Sequence, residues 1–317
     1  MEKHYINKRY NGHGIYRMIN QYNPLNLPPN TIRVKFNSGY APDMGDTQTL
    51  VDANENVWDI YKQSSDWSNL FQASNNNLLE VIGANTTNVT NMKMMFFSCK
   101  ALTSVALFDT SSVIRMDSMF QSCLSLTSVP LFDTSNVTTM SNMLCNCPTL
   151  TTVPLFNTSN VTTMHWMFDN CPSLSSVPLF DTSKVTDMSD MFFGCRSLTT
   201  VPLFDTRNVT SMSYMFCDCR SLISTPLFNT SKVTNMHSMF YICLKLTTVP
   251  LFDTSKVTDM SDMFAGCYKV ETGALALYQQ ASTQTNPPSE HSETFLDCGK
   301  DTQTGSAELA QIPSDWK

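Results

Sequence analysis

One phrase, M-x-x-M-F-x-x-C, recurs along this chain with a strict period of 24. It sets Cys99, Cys123, Cys147, Cys171, Cys195, Cys219, Cys243 and Cys267 in register with no insertion or deletion. The same register aligns Val89, Val113, Val137, Val161, Val185, Val209, Val233 and Val257, and the Leu-Phe pairs from Leu107-Phe108 to Leu251-Phe252. A fixed period of this length specifies a solenoid, because so short a unit has a face it cannot bury alone and must stack on its neighbours. Eight 24-residue units between Leu78 and Val270 predict one right-handed coil instead of the one or two globular domains that 317 residues would otherwise suggest. Terminal units lack a neighbour and need different, polar caps. The expected division is an N-terminal cap and attachment module at 1–77, the solenoid at 78–271 and a C-terminal cap at 272–317.

Within a unit, Met188, Met191, Phe192 and Cys195 fall at i, i+3, i+4 and i+7, the spacing of one face of a short helix. Thr186 is placed to cap it, and Asp187 suits the positive end of its dipole. Leu198-Thr199-Thr200-Val201-Pro202-Leu203-Phe204 reads as a brief strand, and Asp205-Thr206-Arg207-Asn208 as a turn. Each coil is therefore expected to run strand, turn, helix, turn, giving an α/β repeat solenoid of short parallel strands and short helices. The L-x-x-V-P-L-F-x-T pattern has the shape of a leucine-rich repeat, L-x-x-L-x-L. Pro130, Pro154, Pro178, Pro202, Pro226 and Pro250 would each remove a ladder donor, so the strand should be only two to four residues long and bend there.

Several columns invite chemistry and have plainer readings. Sixteen of the 20 methionines lie in the columns of Met92 and Met95, where Met fills gaps between coils and touches aromatic edges. The eight column cysteines take the buried i+7 position of small hydrophobes, no C-x-x-C metal spacing occurs, and Cys298 has no assigned partner. Cys145 and Cys217, the first members of two C-x-C pairs, belong to a variable, outward column. Asp109, Asp133, Asn157, Asp181, Asp205, Asn229 and Asp253 could gather calcium, but each also suits an Asx turn that accepts an amide two residues on. The Asn-Val-Thr sequons at Asn88, Asn136, Asn160 and Asn208 are generated by the repeat itself and read as turns.

No P-loop, G-x-S-x-G, H-E-x-x-H or G-x-G-x-x-G is present, so no enzyme activity, cofactor or metal site is predicted. His165 and His237 share a column three coils apart, too far to share a metal ion. An enzyme reading would need a site in the N-terminal cap, where Asn11-Gly12-His13-Gly14 reads as a turn. Net charge is -7 with only 20 Lys and Arg, which removes the basic footprint of nucleic-acid binding. No run approaches 18 apolar residues, so no helical membrane span is expected. The charged start Met1-Glu2-Lys3 leads into no apolar run and the first cysteine is Cys99, so neither a secretory signal nor a lipobox is predicted.

Where fixed columns build the scaffold, the columns that vary mark the recognition surface. One runs Met94, Ser118, Asn142, Trp166, Asp190, Tyr214, Ser238, Asp262, and another Phe97, Gln121, Cys145, Asp169, Phe193, Cys217, Tyr241, Ala265. Both are expected to face away from the core. Exposed aromatic side chains are enriched in binding hot spots, so Trp166, Tyr214, Phe193 and Tyr241, with His165 and Asp190, form the candidate ligand-binding patch. The hydroxyl carpet of Thr103-Ser104, Thr127-Ser128, Thr151-Thr152, Ser175-Ser176 and Thr199-Thr200 is the rival surface.

The phrase F-D-T-S-N-V-T-x-M-S-x-M-F-x-x-C-x-x-L-T-x-V-P-L, from Phe132 to Leu155 with Leu144 in place of Phe, resembles the BspA-type leucine-rich repeats of bacterial surface proteins. The resemblance runs through all the units from Leu78 to Val270. It implies macromolecular binding of the kind seen in adhesins, and similar repeats are carried by phages. Combined with the missing export signal, it predicts a cytoplasmically synthesised phage structural protein, virion-borne, that binds a protein or surface glycan of a bacterial host or another virion protein. The alternatives are a cell-surface adhesin and a structural spacer. Trp67-Ser68-Asn69-Leu70-Phe71 resembles a degenerate M-x-x-M-F, Pro28 to Phe36 holds a strand, Gly273 to Gln280 a closing helix, and Ala307 to Trp316 a segment covering the last coil.

Overall fold

A computed structural model of the chain describes residues 25–74 and 76–317, so His13 and its turn lie outside the described residues. The chain enters through an antiparallel sheet of β1 (Thr31–Phe36), β2 (Thr47–Asp52), β3 (Val57–Tyr61) and β4 (Leu78–Asn85), in the order β2-β3-β1-β4. β4 then pairs in parallel with β5 (Ser104–Val105), Glu80 with Ser104 and Val81 with Val105, which joins the sheet to the first coil. From there single parallel bridges climb one coil at a time from Asn91 through Arg115, Thr139, Thr163, Asp187, Ser211 and Asn235 to Asp259. A repeat solenoid is the result.

The coils contain no α-helix, which corrects the expected α/β composition. Among the described residues α-helix is confined to α1 (Ala274–Thr283) and α2 (Gln303–Leu309), both in the C-terminal cap. The segment from Thr186 to Cys195 is a string of turns. Met188, Asp190, Phe192 and Gly194 donate their amides across to carbonyls of the next coil, at Ser211, Ser213, Met215 and Cys217, over 2.8–3.2 Å. The intervening amides of Met191, Phe193 and Cys195 close back on Met188, Asp190 and Phe192 at 3.1–3.3 Å. A helix would consume every one of these amides internally and leave no lateral ladder. Two residues per coil take positive φ, at 51–58° in the column of Met94 and 53–74° in the column of Ser98, which an α-helix does not permit. Thr186 is not a cap: its amide and Oγ1 both donate to Thr162 O, while Asp187 Oδ1 accepts the Ser189 amide at 2.9 Å.

The expected strand shrinks for the reason its prolines supply. Only β5 survives among the coils, in the unit that has Ala106 where later ones have proline. In five of the six proline units the residue two past Pro donates to the proline carbonyl, Phe132 to Pro130, Phe156 to Pro154, Phe180 to Pro178, Phe204 to Pro202 and Phe252 to Pro250, at 2.9–3.0 Å. That three-residue closure is a γ-turn. It advances the chain so that Phe204 is buried and Leu203 is turned out. The last leucine of the L-x-x-L-x-L pattern therefore lies outside the core.

Four columns fill the interior. Val, both Met columns and Leu102 with its successors are buried, and two phenylalanine ladders run beside them. From Phe168 through Phe192, Phe216, Phe240 and Phe264 to Phe295, ring centroids are 5.1–6.0 Å apart with planes within 16°. Leu144 interrupts the row between Phe120 and Phe168. Each of the eight column thiols from Cys99 to Cys267 donates to the backbone of the preceding coil: Cys123 to Phe96 O at 3.2 Å, Cys195 to Phe168 O at 3.1 Å, Cys267 to Phe240 O at 3.0 Å. Burial pushes the thiols of Cys99 and Cys147 up to about 12. A further buried column went unread in the sequence. Thr110, Thr134, Thr158, Thr182, Thr206 and Thr230 each donate Oγ1 to a carbonyl of the following coil at 2.8–2.9 Å.

The caps imitate coils. Trp67, Asn69 and Phe71 donate to Asn91, Lys93 and Met95, so the W-S-N-L-F segment takes the M-x-x-M-F place. At the other end Met260, Asp262, Phe264 and Gly266 donate to Glu290, Ser292, Thr294 and Leu296. This register puts Phe295 at the end of the phenylalanine ladder and Cys298, unassigned in the sequence, beyond Cys267 in the thiol column. Trp316 closes the stack, 4.2 Å from His291 and 6.4 Å from Phe295 between ring centroids. No helix of the described residues is long and apolar enough to cross a membrane.

The polar corner follows the Asx reading. Asp109, Asp133, Asp181 and Asp253 each accept the amide two residues on at 2.9–3.0 Å, and Asn157 and Asn229 do the same at 3.1–3.2 Å. The sequon residues Asn136, Asn160 and Asn208 donate Nδ2 to carbonyls of the preceding coil at 2.7–2.8 Å. Hydrogen bonds from Ser183, Arg207 and Ser255 hold Asp181, Asp205 and Asp253 below the usual carboxylate range.

Two outcomes are expected. Phe192→Ala opens a cavity between three stacked rings and should cost about 3–5 kcal/mol, read from urea unfolding against wild type. The three depressed carboxylates contribute stability that is present above the unfolded pKa of Asp and is lost as pH falls through their folded values. A D181N/D205N/D253N chain keeps the acceptors, so its melting temperature should fall less than that of wild type between neutral pH and strong acid. Parallel curves would refute the assignment.

Candidate functional site

The variable columns lie on the turn side of each coil, where the backbone does something expensive. Met94, Ser118, Asn142, Trp166, Asp190, Tyr214, Ser238 and Asp262 all have positive φ. A non-glycine residue there costs roughly 1–2 kcal/mol, least for Asn and Asp, whose short side chains bond locally. Asn142, Asp190 and Asp262 fit that economy; Trp166 and Tyr214 do not.

Five of the six residues singled out by sequence come together over the 165–214 stretch. Trp166 is 42% exposed, and the His165 ring stacks on it with centroids 4.7 Å apart and planes at 14°. One coil on, Asp190 accepts a hydrogen bond from the Trp166 side chain, whose only donor is the indole N–H. Burial raises the Asp190 carboxyl above the usual range, against the pull of that hydrogen bond and of His165. Tyr214, next in the column, lies edge-on to Phe193 at 6.5 Å and 61°. Burial is the first cause that lifts its phenol, and the Asp190 charge the second.

Two further residues extend or bound this patch. Tyr214 OH lies 2.7 Å from His237 Nε2, and His237 Nδ1 lies 3.8 Å from Asp259 Oδ1. His237 therefore belongs to the cluster, though sequence reasoning weighed it only as a metal ligand. Its signal was the column it shares with His165, each His preceding the positive-φ residue. Tyr241 is 37% exposed but, among the described residues, makes no ring contact with the other five.

The second column does not uniformly face outward. Cys145, Cys217 and Ala265 are 5%, 4% and 1% exposed. Residues here sit between neighbouring coils: Cys145 Sγ donates to Asp169 Oδ2 at 3.3 Å, and Gln121 Nε2 reaches Cys145 Sγ at 3.8 Å. Burial pushes the Cys217 thiol up to about 12 and raises the Asp169 carboxyl. This column forms a half-buried wall beside the patch. The hydroxyl carpet, by contrast, is exposed as expected at Thr127-Ser128, Thr151-Thr152, Ser175-Ser176 and Thr199-Thr200. Among the described residues no group of three His, Cys, Asp or Glu side chains is placed to hold a metal ion.

The structure also turns out a row that sequence reasoning left in the fixed scaffold. Leu107, Leu131, Leu155, Leu179, Leu203, Leu227 and Leu251 are 42–60% exposed. The signal for it was the step from Val201 to Phe204, since the two buried residues flank Leu203 out of strand phase.

Known proteins carry similar repeats, although no curated protein matches the sequence. Among solved structures, a leucine-rich repeat protein from Eubacterium ventriosum ATCC 27560 is similar at 22% identity and a TM-score of 0.42, over 54% of this chain and 44% of that one. The leucine-rich repeat protein of T. pallidum is similar at 18% identity and a TM-score of 0.42, over 58% of this chain and 81% of that one. The chain thus spans less than half the length of the first of these. The family described as "Mycoplasma protein of unknown function, DUF285" matches residues 65–177, 150–247 and 175–278. Those matches together run from 65 to 278, more than half of the chain, and the chain belongs to this DUF285 family of BspA-type leucine-rich repeats.

Proposed function

We propose that this chain is a non-enzymatic recognition protein that binds a macromolecular partner, a protein or surface glycan of a bacterial host or another virion protein, through the ridge around Trp166 and Tyr214. One observation carries the reading. Two large aromatic side chains occupy positive-φ positions that Asn, Asp or Gly would fill at lower cost, and backbone expense of this kind concentrates at functional sites. Their neighbours support it: His165 and Asp190 hold Trp166, while Phe193 and His237 hold Tyr214, so both rings are preorganised. Buried thiols and carbonyl-bonded threonine hydroxyls leave these groups to scaffolding, not to nucleophilic chemistry. Display on a phage particle, or on a bacterial surface, suits a recognition protein with this repeat.

Two measurements test the proposal. Fluorescently labelled chain should bind washed cells of the source culture, and W166A/Y214A should bind at least about 30-fold more weakly, the loss of one hot spot of about 2 kcal/mol. Undiminished binding by the double variant would remove the ridge from the reading. Quantitative mass spectrometry of purified phage particles, envelopes and cytosol should find the chain stoichiometric in particles. Enrichment in envelopes would replace the virion setting with the cell-surface one.

A further inference from the structure

The seven exposed leucines form one continuous row. Each occupies the same place in its coil, and successive coils are hydrogen-bonded neighbours, so the side chains recur at about the 4.8 Å strand spacing over ~29 Å. The half-buried prolines before six of them add apolar surface and offer no amide. Soluble monomers rarely expose so long an apolar strip, whose usual meaning is an interaction site. Upstream of the row run the exposed hydroxyls of Thr127-Ser128 to Thr199-Thr200, and downstream the Asp and Asn corner from Asp109 to Asp253.

We propose that the leucine row is a self-association surface, on which a second copy of this chain lies side by side with its own leucine row interleaved and its coils running in the same direction. Three features select this occupant. The first is spacing. A second copy has the identical coil rise, so each leucine falls between two of its partner's along the whole row. A helix laid along the row repeats at 5.4 Å and drifts out of step by ~3.6 Å over six intervals, most of one spacing. The second is area. From the hydroxyl column to the Asp column the coil crosses six residues, at most about 20 Å because the γ-turn shortens the path, so the strip measures up to roughly 29 by 20 Å, on the scale of the ~800 Å² that each partner contributes to a standard interface.

The third is polarity. With a half-turn about an axis parallel to the solenoid and a shift of half a coil rise, the carboxylate side of each row faces the hydroxyl side of the other, acceptors against donors. Running the copies in opposite directions would set one Asp column against the other, and like charges so juxtaposed oppose association. The carboxylates at Asp181, Asp205 and Asp253 stay ionised well into acid, so that repulsion persists at neutral pH.

Sedimentation equilibrium at micromolar concentration should report twice the 35.6 kDa chain mass. L155E/L179E/L203E should halve it to the single-chain mass, with an unchanged circular dichroism spectrum. The milder L155S/L179S/L203S, which removes apolar area without adding charge, should weaken the dimer at least tenfold. W166A/Y214A should remain dimeric, which separates this surface from the recognition ridge. Leu179 is the central leucine of the seven, so direction is read in its own coil. A mixture of S176C and D181C chains should crosslink to each other, and S176C alone should not. A monomeric wild type, or a dimer that survives both leucine triples, overturns the proposal; a wild type that stays monomeric and pellets with zwitterionic vesicles would assign the row to lipid. Self-crosslinking by S176C overturns the shared direction.

Discussion

The whole molecule depends on a division of labour among its backbone amides. Within the turn segment one amide closes the local turn and the next crosses to the adjacent coil. Neither set suffices alone: turns without the crossing bonds would be a disordered string, and crossing bonds without turns would have no fixed register. The alternation requires two positive-φ residues per coil, and one of these two columns, that of Met94, is the variable column that carries Trp166 and Tyr214. Scaffold and candidate site are therefore set by one backbone constraint. The buried columns then follow, because a coil that returns to the same phase once per repeat must stack like on like, Phe on Phe and thiol on thiol.

This constraint explains what was legible in the sequence. The period, the buried Val, Met, Leu and Cys columns, the Asx corner and the helix after Gly273 could all be read, since each depends on spacing or on one residue's local chemistry. The helix over Thr186 to Cys195 was misread because i, i+3, i+4, i+7 spacing describes any path that returns to the core every three or four residues. A string of turns does so as well as a helix. The discriminating residues were Gly194, Gly266, Asn146 and Asn170, four residues after the variable position, which are poor helix formers and good positive-φ residues. Buried Thr182 and its equivalents were invisible for a different reason. A hydroxyl that donates to the next coil has no signature within its own unit.

The candidate site was legible as a cluster but not as a network. Variation between units found Trp166, Tyr214 and Phe193, because the fixed columns define by subtraction what is free to change. That Asp190 accepts from Trp166, or that His237 meets the Tyr214 hydroxyl, depends on which column lies beside which. Sequence alone does not order neighbouring columns in space once the secondary structure is misassigned. The leucine row escaped for the complementary reason. It is as regular as the core, and regularity was read as burial, although the proline γ-turn reverses the side on which Leu203 emerges.

The crossing bonds also have a mechanical meaning. They point along the solenoid axis, so a pull between the two caps loads every coil boundary in series instead of sharing the force among many bonds at once. The weakest boundary yields first, and the one crossed by no ring-on-ring contact in either phenylalanine row lies just before Leu144, between the coil of Phe120 and Phe132 and the coil of Leu144 and Phe156. Each coil that peels away releases one 24-residue unit, roughly 80 Å of extended chain. A molecule tethered at both ends would lengthen in discrete steps under load and shed tension at each one, which makes this stack a stepwise shock absorber as well as a platform.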